Sequence, residues 1–262
     1  MESDPRFAVP ASQSGPVGPG IYPMNSRRIH LASRNTHKAR EFQAMADASG
    51  LAVKILAADK MPAVAEDTGT FAGNARKKAL ALKAVLPPDA WVLADDSGLG
   101  VAALGGAPGV DSAYYAGPQA VSAANLAKLV AAMQTVPEGK RAAHFICVLV
   151  LLGPTAGEQM FEGRCAGTLR RAPAGGAGFG YDPLFVPDGF DRTYAELDEA
   201  RKNQISHRGR AWSQLAAWLR KAGIQGCGPS EPQDSSVRPA FANNVAAWAR
   251  RLMFSLEKTV DR

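Results

Sequence analysis

Ile29-His30-Leu31-Ala32-Ser33-Arg34-Asn35-Thr36-His37-Lys38 is the stretch that decides the fold. Its first four residues read as a short strand that ends in the polar loop 33–36. Residues 38–48 then read as a helix stopped by Ser49-Gly50, and 51–56 fits a second strand. The alternation continues downstream. Ala75, Ala79, Leu82 and Leu86 stand at helical spacing over 74–86, and Pro87-Pro88 ends that helix. Trp91-Val92-Leu93-Ala94 reads as a buried strand running into Asp95-Asp96. A glycine-rich turn over 104–109, a helix over 122–133 and an apolar strand over 143–152 follow. Thr168-Leu169-Arg170 and Leu184-Phe185-Val186 flank a second glycine loop. The last core helix spans 206–222, with Trp212, Leu215 and Leu219 on one side and Gly223 as its stop. Alternating strands and helices predict an α/β fold around a central sheet.

Either side of this core the composition changes. Residues 1–25 are rich in Pro, Gly and Ser and lack periodicity, which predicts a disordered tail before a domain over 26–224. Residues 225–262 read as a linker followed by an amphipathic helix with the stripe Phe241, Val245, Trp248, Leu252 and Leu256. The net charge of +6 fits a polyphosphate site as well as nucleic acid, but the basic residues are dispersed and do not interleave with aromatics. No stable nucleic-acid partner is expected. Cys147, Cys165 and Cys227 form no CxxC pair, which argues against zinc. Their odd number, with no signal-peptide pattern and no run of transmembrane length, predicts a cytoplasmic protein without a membrane partner. Cys147 sits in an apolar run and reads as a core residue.

Four clusters can carry chemistry. Ser33-Arg34-Asn35-Thr36-His37-Lys38 is a strand-to-helix loop that can present amides, hydroxyls and an ammonium to an anion; it also reads as a helix cap with a surface lysine. Asp95-Asp96-Ser97-Gly98 offers a carboxylate pair, of which strand alternation sends one to each side. Magnesium is the natural partner of such oxygens, and an Asx-turn completed by Gly98 is the other reading. Glu66-Asp67 lies on a loop, either solvated or completing a metal shell. Finally, Gly178-Phe179-Gly180-Tyr181-Asp182-Pro183 brings a ring face and a carboxylate, and Lys202 and Ser206-His207-Arg208 bring cations. These are packing residues and a cap, or a nucleotide site. With Ser206 as N-cap, His207 and Arg208 fall in the first helical turn, where positive charge opposes the helix dipole. An anionic ligand between them would account for that placement.

Taken in order, these motifs resemble the non-standard purine nucleoside triphosphate pyrophosphatases, the ITPase-like XTP/dITP diphosphatase family. The resemblance runs from Arg28 to Gly223. It rests on Ser33-x-Asn35-x-x-Lys38-x-x-Glu41, Thr70-Phe71-x-x-Asn74-Ala75-x-x-Lys78-Ala79, Ala94-Asp95-Asp96-Ser97-Gly98-Leu99 and Leu104-Gly105-Gly106-Ala107-Pro108-Gly109. Downstream it adds the second glycine loop, Ala195-Glu196-Leu197 and Ser206-His207-Arg208. The resemblance implies an elongated mixed sheet flanked by helices, with two lobes and a cleft between them. It implies a magnesium-dependent cytosolic homodimer that hydrolyses ITP, dITP and XTP to the monophosphate and pyrophosphate. Asp96 is then the general base and a metal ligand, and Glu66 the second metal carboxylate. Ser33, Arg34, Asn35, Thr36, His37, Lys38 and Lys78 bind the triphosphate. Ser97, Phe179, Gly180, Tyr181, Asp182, Lys202, His207 and Arg208 make the other nucleotide contacts. The chain departs from the pattern at Gly73, where the family often has Glu, and at Tyr114, where an arginine is common. The competing expectation is a non-catalytic nucleotide or nucleic-acid binder that keeps the cleft.

Overall fold

β1 (Arg27–Leu31), α1 (Thr36–Ala48) and β2 (Val53–Ala57) form the opening unit, with β1 and β2 parallel and in register from Arg27 against Val53 to Leu31 against Ala57. The computed structural model describes residues 27–224 apart from 59, 155 and 156. The expectations for residues 1–25 and 225–262 lie outside the described residues. The Asn35 side chain starts α1 by accepting the amides of His37 and Lys38, and the Ser49 amide turns back on Met45 and Ala46 to close it. α2 (Phe71–Lys83) is capped by Thr70, whose hydroxyl oxygen accepts the Gly73 amide. It begins three residues earlier than the apolar spacing predicts, because a cap and not an apolar residue fixes the start.

β3 (Trp91–Val101), β4 (Ala142–Leu152) and β5 (Glu158–Leu169) are the long strands, and α3 (Ser122–Ala132) connects across the first pair. The sheet closes with the short β6 (Phe185–Pro187), in the order β2-β1-β3-β4-β5-β6. β1 runs parallel to both β2 and β3, and the remaining pairs are antiparallel, so the sheet is mixed. α4 (Glu199–Ile205) and α5 (His207–Lys221) complete the core.

Three predictions are corrected. The strand expected to stop before Asp95-Asp96 continues through both and through Ser97-Gly98 to Val101, so no Asx-turn forms there. A Cβ on Gly98 would lie 2.3 Å from the Gly109 carbonyl oxygen and 2.5 Å from Ser112 Oγ, so glycine is needed for close approach of the following turn. β5 is a twelve-residue strand where only its last two residues were expected. α4 was not anticipated; Asp198 caps it by accepting the Arg201 amide.

Packing divides along β3. Its first half belongs to two clusters, one on each face. Leu93 packs with Ile29, Phe42, Trp212 and Leu215 under α1 and α5. Val92 and Ala94 pack with Ala75, Ala79 and Leu82 under α2. Its second half, Leu99 and Val101, joins Leu129, Phe145, Leu184, Phe185 and Tyr194. The strand thus has a packed region at each end, and Asp95 to Gly98 lie between them. Among the described residues no helix is long and apolar enough to cross a membrane.

Candidate active site

β1 accompanies β3 only from Trp91 to Leu93. Past that point no strand flanks β3 on that edge until Gly100 bridges to Pro108, and the chain leaves Ala32 for the Ser33 loop. The residues that meet this free edge are the two aspartates. A cavity of about 450 Å³ opens there, at the carboxyl end of β1, the usual place for a ligand in an open α/β sheet. The open edge also explains why both aspartates line it, where alternation alone predicted one. Their side chains leave on opposite faces, Asp95 towards α1 and α5 and Asp96 towards α2.

On the α2 face, Lys78 Nζ stands between two carboxylates, 2.5 Å from Asp96 Oδ1 and 3.1 Å from Glu66 Oε2. Burial pushes the Asp96 carboxyl up to about 7, and the Glu66 carboxylate beside it adds to the rise against the pull of Lys78. Burial would raise Glu66 too, but the Lys78 ammonium, the hydrogen bond with Asp96 and the charge of Lys38 together outweigh it and hold Glu66 below the usual range. Asp96 Oδ2 is buried with no hydrogen-bond partner. Among the described residues no group of three or more His, Cys, Asp or Glu is arranged to hold a metal. Two carboxylates with one orphaned oxygen still fit magnesium, which is commonly held by one or two carboxylates with waters and substrate phosphates completing its shell.

On the other face Asp95 is the hub. Lys38 donates to its Oδ1, Arg208 Nε donates to its Oδ2 at 3.2 Å, and the Cys147 thiol donates to the same oxygen at 3.2 Å. Burial alone would raise Asp95, yet Arg208 and Lys38 outweigh it and hold the group well below the usual carboxylate range. Cys147 is buried as predicted, and burial together with Asp95 pushes its thiol well up, so it stays protonated and can donate. Arg208 also reaches Glu41 at 2.8 Å and Ser97 Oγ at 2.9 Å. Glu41 in turn accepts from Lys202 at 2.9 Å, and Lys202 donates to Asp182 at 2.8 Å. Glu41, the last residue of the first motif, is a member of this network that the sequence alone does not point to. Its signal was only its i+3 spacing from Lys38, which places it beside that lysine on α1.

This network holds up an aromatic platform. The Phe179 amide donates to Asp182 Oδ2 at 2.9 Å. Lys202 Nζ lies 5.1 Å and Arg208 Cζ 5.6 Å from the Phe179 ring centroid, so two cations attend one ring. The Tyr181 hydroxyl donates to the Ser112 carbonyl at 2.8 Å, which ties the glycine loop to the turn after β3.

Two electrostatic expectations change. His207 is no cation: burial and then Arg208 push its imidazole well below the usual range, and its ring stacks on Phe145 at 4.6 Å. Arg208 does sit in the first turn of α5, but Glu41 and Asp95 compensate it, so the protein itself supplies the anions. The Ser33 loop is changed as well. The amides of Ser33, Asn35, His37 and Lys38 already donate to Leu31 O, Ser33 Oγ and Asn35 Oδ1, so the loop offers a ligand fewer amides than expected, alongside its side chains and charge.

Of the residues singled out from sequence, Ser33, Arg34, Asn35, Lys38, Glu66, Lys78, Asp96, Ser97, Phe179, Gly180, Tyr181, Asp182, His207 and Arg208 line the cavity. Thr36, His37 and Lys202 do not. Thr36 opens α1, the His37 ring lies 6.2 Å from that of Phe179, and Lys202 acts from beneath through Asp182. Tyr114, in place of the common arginine, is half exposed at the cavity mouth.

Fold and site together define a nucleotide-handling α/β protein, with a carboxylate pair and two lysines at one end of a cleft and an aromatic platform at the other. The family model described as the Ham1 family matches residues 29–218, and the chain belongs to that family. It is 57% identical over 202 residues to a dITP/XTP pyrophosphatase of Opitutus terrae, covering 74% of this chain and all of the relative. A dITP/XTP pyrophosphatase of Streptomyces avermitilis is 44% identical over 197 residues, covering 74% of this chain and 98% of the relative. Among solved structures, the Ham1 protein of Coxiella burnetii matches with a TM-score of 0.65 at 38% identity, covering 74% of this chain and 99% of that one. The Staphylococcus aureus Ham1 protein matches with a TM-score of 0.64 at 35% identity, covering 75% and 100%.

Proposed function

We propose that this protein hydrolyses non-standard purine nucleoside triphosphates, dITP, ITP and XTP, to the monophosphate and pyrophosphate. The observation that carries the reading is Asp96: a carboxylate with a buried, unpartnered oxygen, beside Glu66 and Lys78, in the cavity that also holds Phe179. Asp96 lines the cavity where a water would meet the phosphates, a place suited to orienting that water and taking its proton. Lys78 and Lys38 are paired with carboxylates in the free protein, and a triphosphate would draw both ammonium groups towards the leaving pyrophosphate. The Phe179 ring gives the base a stacking surface. Glu66 and the free oxygen of Asp96 would hold magnesium, which when bound supplies positive charge to the phosphate oxygens. A pure binder has no use for two carboxylates beside a polyanion, which disfavours the non-catalytic reading.

Cleavage between the α and β phosphates is supported by the name of the relatives, pyrophosphatase, and by identity that extends over their whole length. The homodimeric state and a cytoplasmic location rest on the family resemblance. Incubation with ITP and magnesium, followed by anion-exchange separation, should yield inosine monophosphate and pyrophosphate. Formation of the diphosphate and orthophosphate, or no product, overturns the reading. Light scattering at the subunit or dimer mass decides the assembly.

A further inference from the structure

Glu66 stands on a segment with little to fix it. Among the described residues, 62–67 lie in no helix, strand or turn and make no backbone–backbone hydrogen bond to another described residue. The nearest fixed point is two residues on. The Asn74 side-chain oxygen accepts both the Thr68 amide, at 3.2 Å, and the Thr68 hydroxyl, at 2.8 Å. Asn74 is wholly buried, and its Nδ2 has no partner. A buried donor left unmet is unfavourable, so the side chain is kept for what its oxygen holds. Lys78, one helical turn further along α2, meets Glu66 itself. The helix therefore grips the loop twice, at Thr68 and at Glu66. Gly73 makes room for the first grip, since a Cβ there would lie 2.3 Å from Thr68 Oγ1. The neighbouring Asp67–Lys77 pair is exposed and weak by comparison.

We infer that Asn74 is a positioning residue: by clamping Thr68 it sets the Glu66 carboxylate against Lys78 and Asp96, and it does so without touching substrate. The inference rests on the proposed metal-dependent hydrolysis. Its test uses the full chain and Mn2+ as a probe, followed through the spin resonance signal of the free ion, together with magnesium titration of ITP hydrolysis. Asn74→Ala should weaken Mn2+ binding and raise the magnesium concentration for half activity by about tenfold, the equivalent of one or two lost hydrogen bonds. KM for ITP at saturating magnesium and the affinity for inosine monophosphate should stay within about twofold, since the platform side is untouched. Thr68→Val keeps the backbone bond and should show a smaller shift in the same direction, and Thr68→Ser should restore the parent values. Thr68→Val also serves if Asn74→Ala does not fold. Parent-like Mn2+ binding in both Asn74→Ala and Thr68→Val overturns the clamp. Equal losses of Mn2+ and inosine monophosphate binding would show a general structural role and overturn it too. If the parent protein binds no Mn2+, the metal reading falls and the clamp with it.

Discussion

Replacing Arg208 with methionine tests the charge network beneath the cleft. The change keeps length and apolar volume but removes the cation shared by Glu41, at 2.8 Å, and Asp95, at 3.2 Å. Both carboxylates are buried, so each is left with a single ammonium: Lys202 for Glu41 and Lys38 for Asp95. Removing one partner of a buried ion pair costs about 3–5 kcal/mol, because the remaining charge is stranded. For a domain of this size each kcal/mol moves the melting temperature by about 2–4 °C, so a fall of about 6–20 °C is expected near neutrality. The pH dependence has a definite sign. In the folded parent Glu41 is held below its ordinary value: burial raises it, but Arg208 and Lys202 outweigh burial. A depressed carboxyl contributes stability that is present above its unfolded pKa of about 4.3 and is lost as pH falls through the folded value. The variant lacks most of that contribution. The gap between parent and variant should therefore be full at about pH 7.5 and narrower at about pH 3, below the unfolded value. Scanning fluorimetry of both proteins at the two pH values measures it. A difference under about 3 °C at the higher pH, or one that widens on acidification, would refute the stranded-charge account.

Asp96→Asn should abolish turnover while ITP binding by calorimetry is largely kept; activity within about threefold of the parent, under roughly 1 kcal/mol of barrier, removes Asp96 from the role of base. ITP or XTP should be hydrolysed at least about a hundredfold more efficiently than ATP, because adenine reverses the donor and acceptor at its 6- and 1-positions and leaves buried donors unmet. Equal kcat/KM for ATP and ITP sinks the selective site even if the phosphate chemistry stands. Gly98→Ala should cost about 1–3 kcal/mol by overpacking against Gly109 and Ser112, read as a lower melting temperature. An unchanged melting temperature would show that the turn can retreat freely.

Local signals in the sequence carried much of this fold. Asn35 and Ser206 are N-caps as their residue types suggest, and Trp212, Leu215 and Leu219 are buried on one face of α5. β5 stayed hidden for a physical reason. Its inward positions include Gly163, Cys165 and Gly167, residues too small to mark an apolar alternation, and its outward positions carry Glu162 and Arg164. The glycines are there because α5 and β6 press on the strand: a Cβ at 163 would meet the His207 carbonyl at 2.1 Å, and one at 167 the Val186 carbonyl at 2.2 Å. Such crowding depends on partners far away in the chain. The cluster around Asp95 was illegible for the same reason. Sequence places Glu41, Lys202 and Arg208 on different elements, and only the packing of α1 against α5 brings them together, where burial leaves His207 neutral and Arg208 already paired.

The opposed aspartates of β3 bear on how this protein can change over generations. Because Asp95 and Asp96 are consecutive on one strand, their sides are fixed by parity. One residue inserted or deleted between Trp91 and Asp95 would turn every later side chain to the opposite face. The carboxylate meant for Lys78 would meet Lys38 and Arg208, Ser97 would leave Arg208, and Leu99 would leave its cluster. No single substitution repairs an inversion of that extent. Point changes are therefore the route of variation open to this strand, and changes of length belong in connections such as residues 137–140, ahead of the buried Arg141. Descendants of this chain should keep the number of residues from Trp91 to Val101 constant even where few of the residues themselves persist.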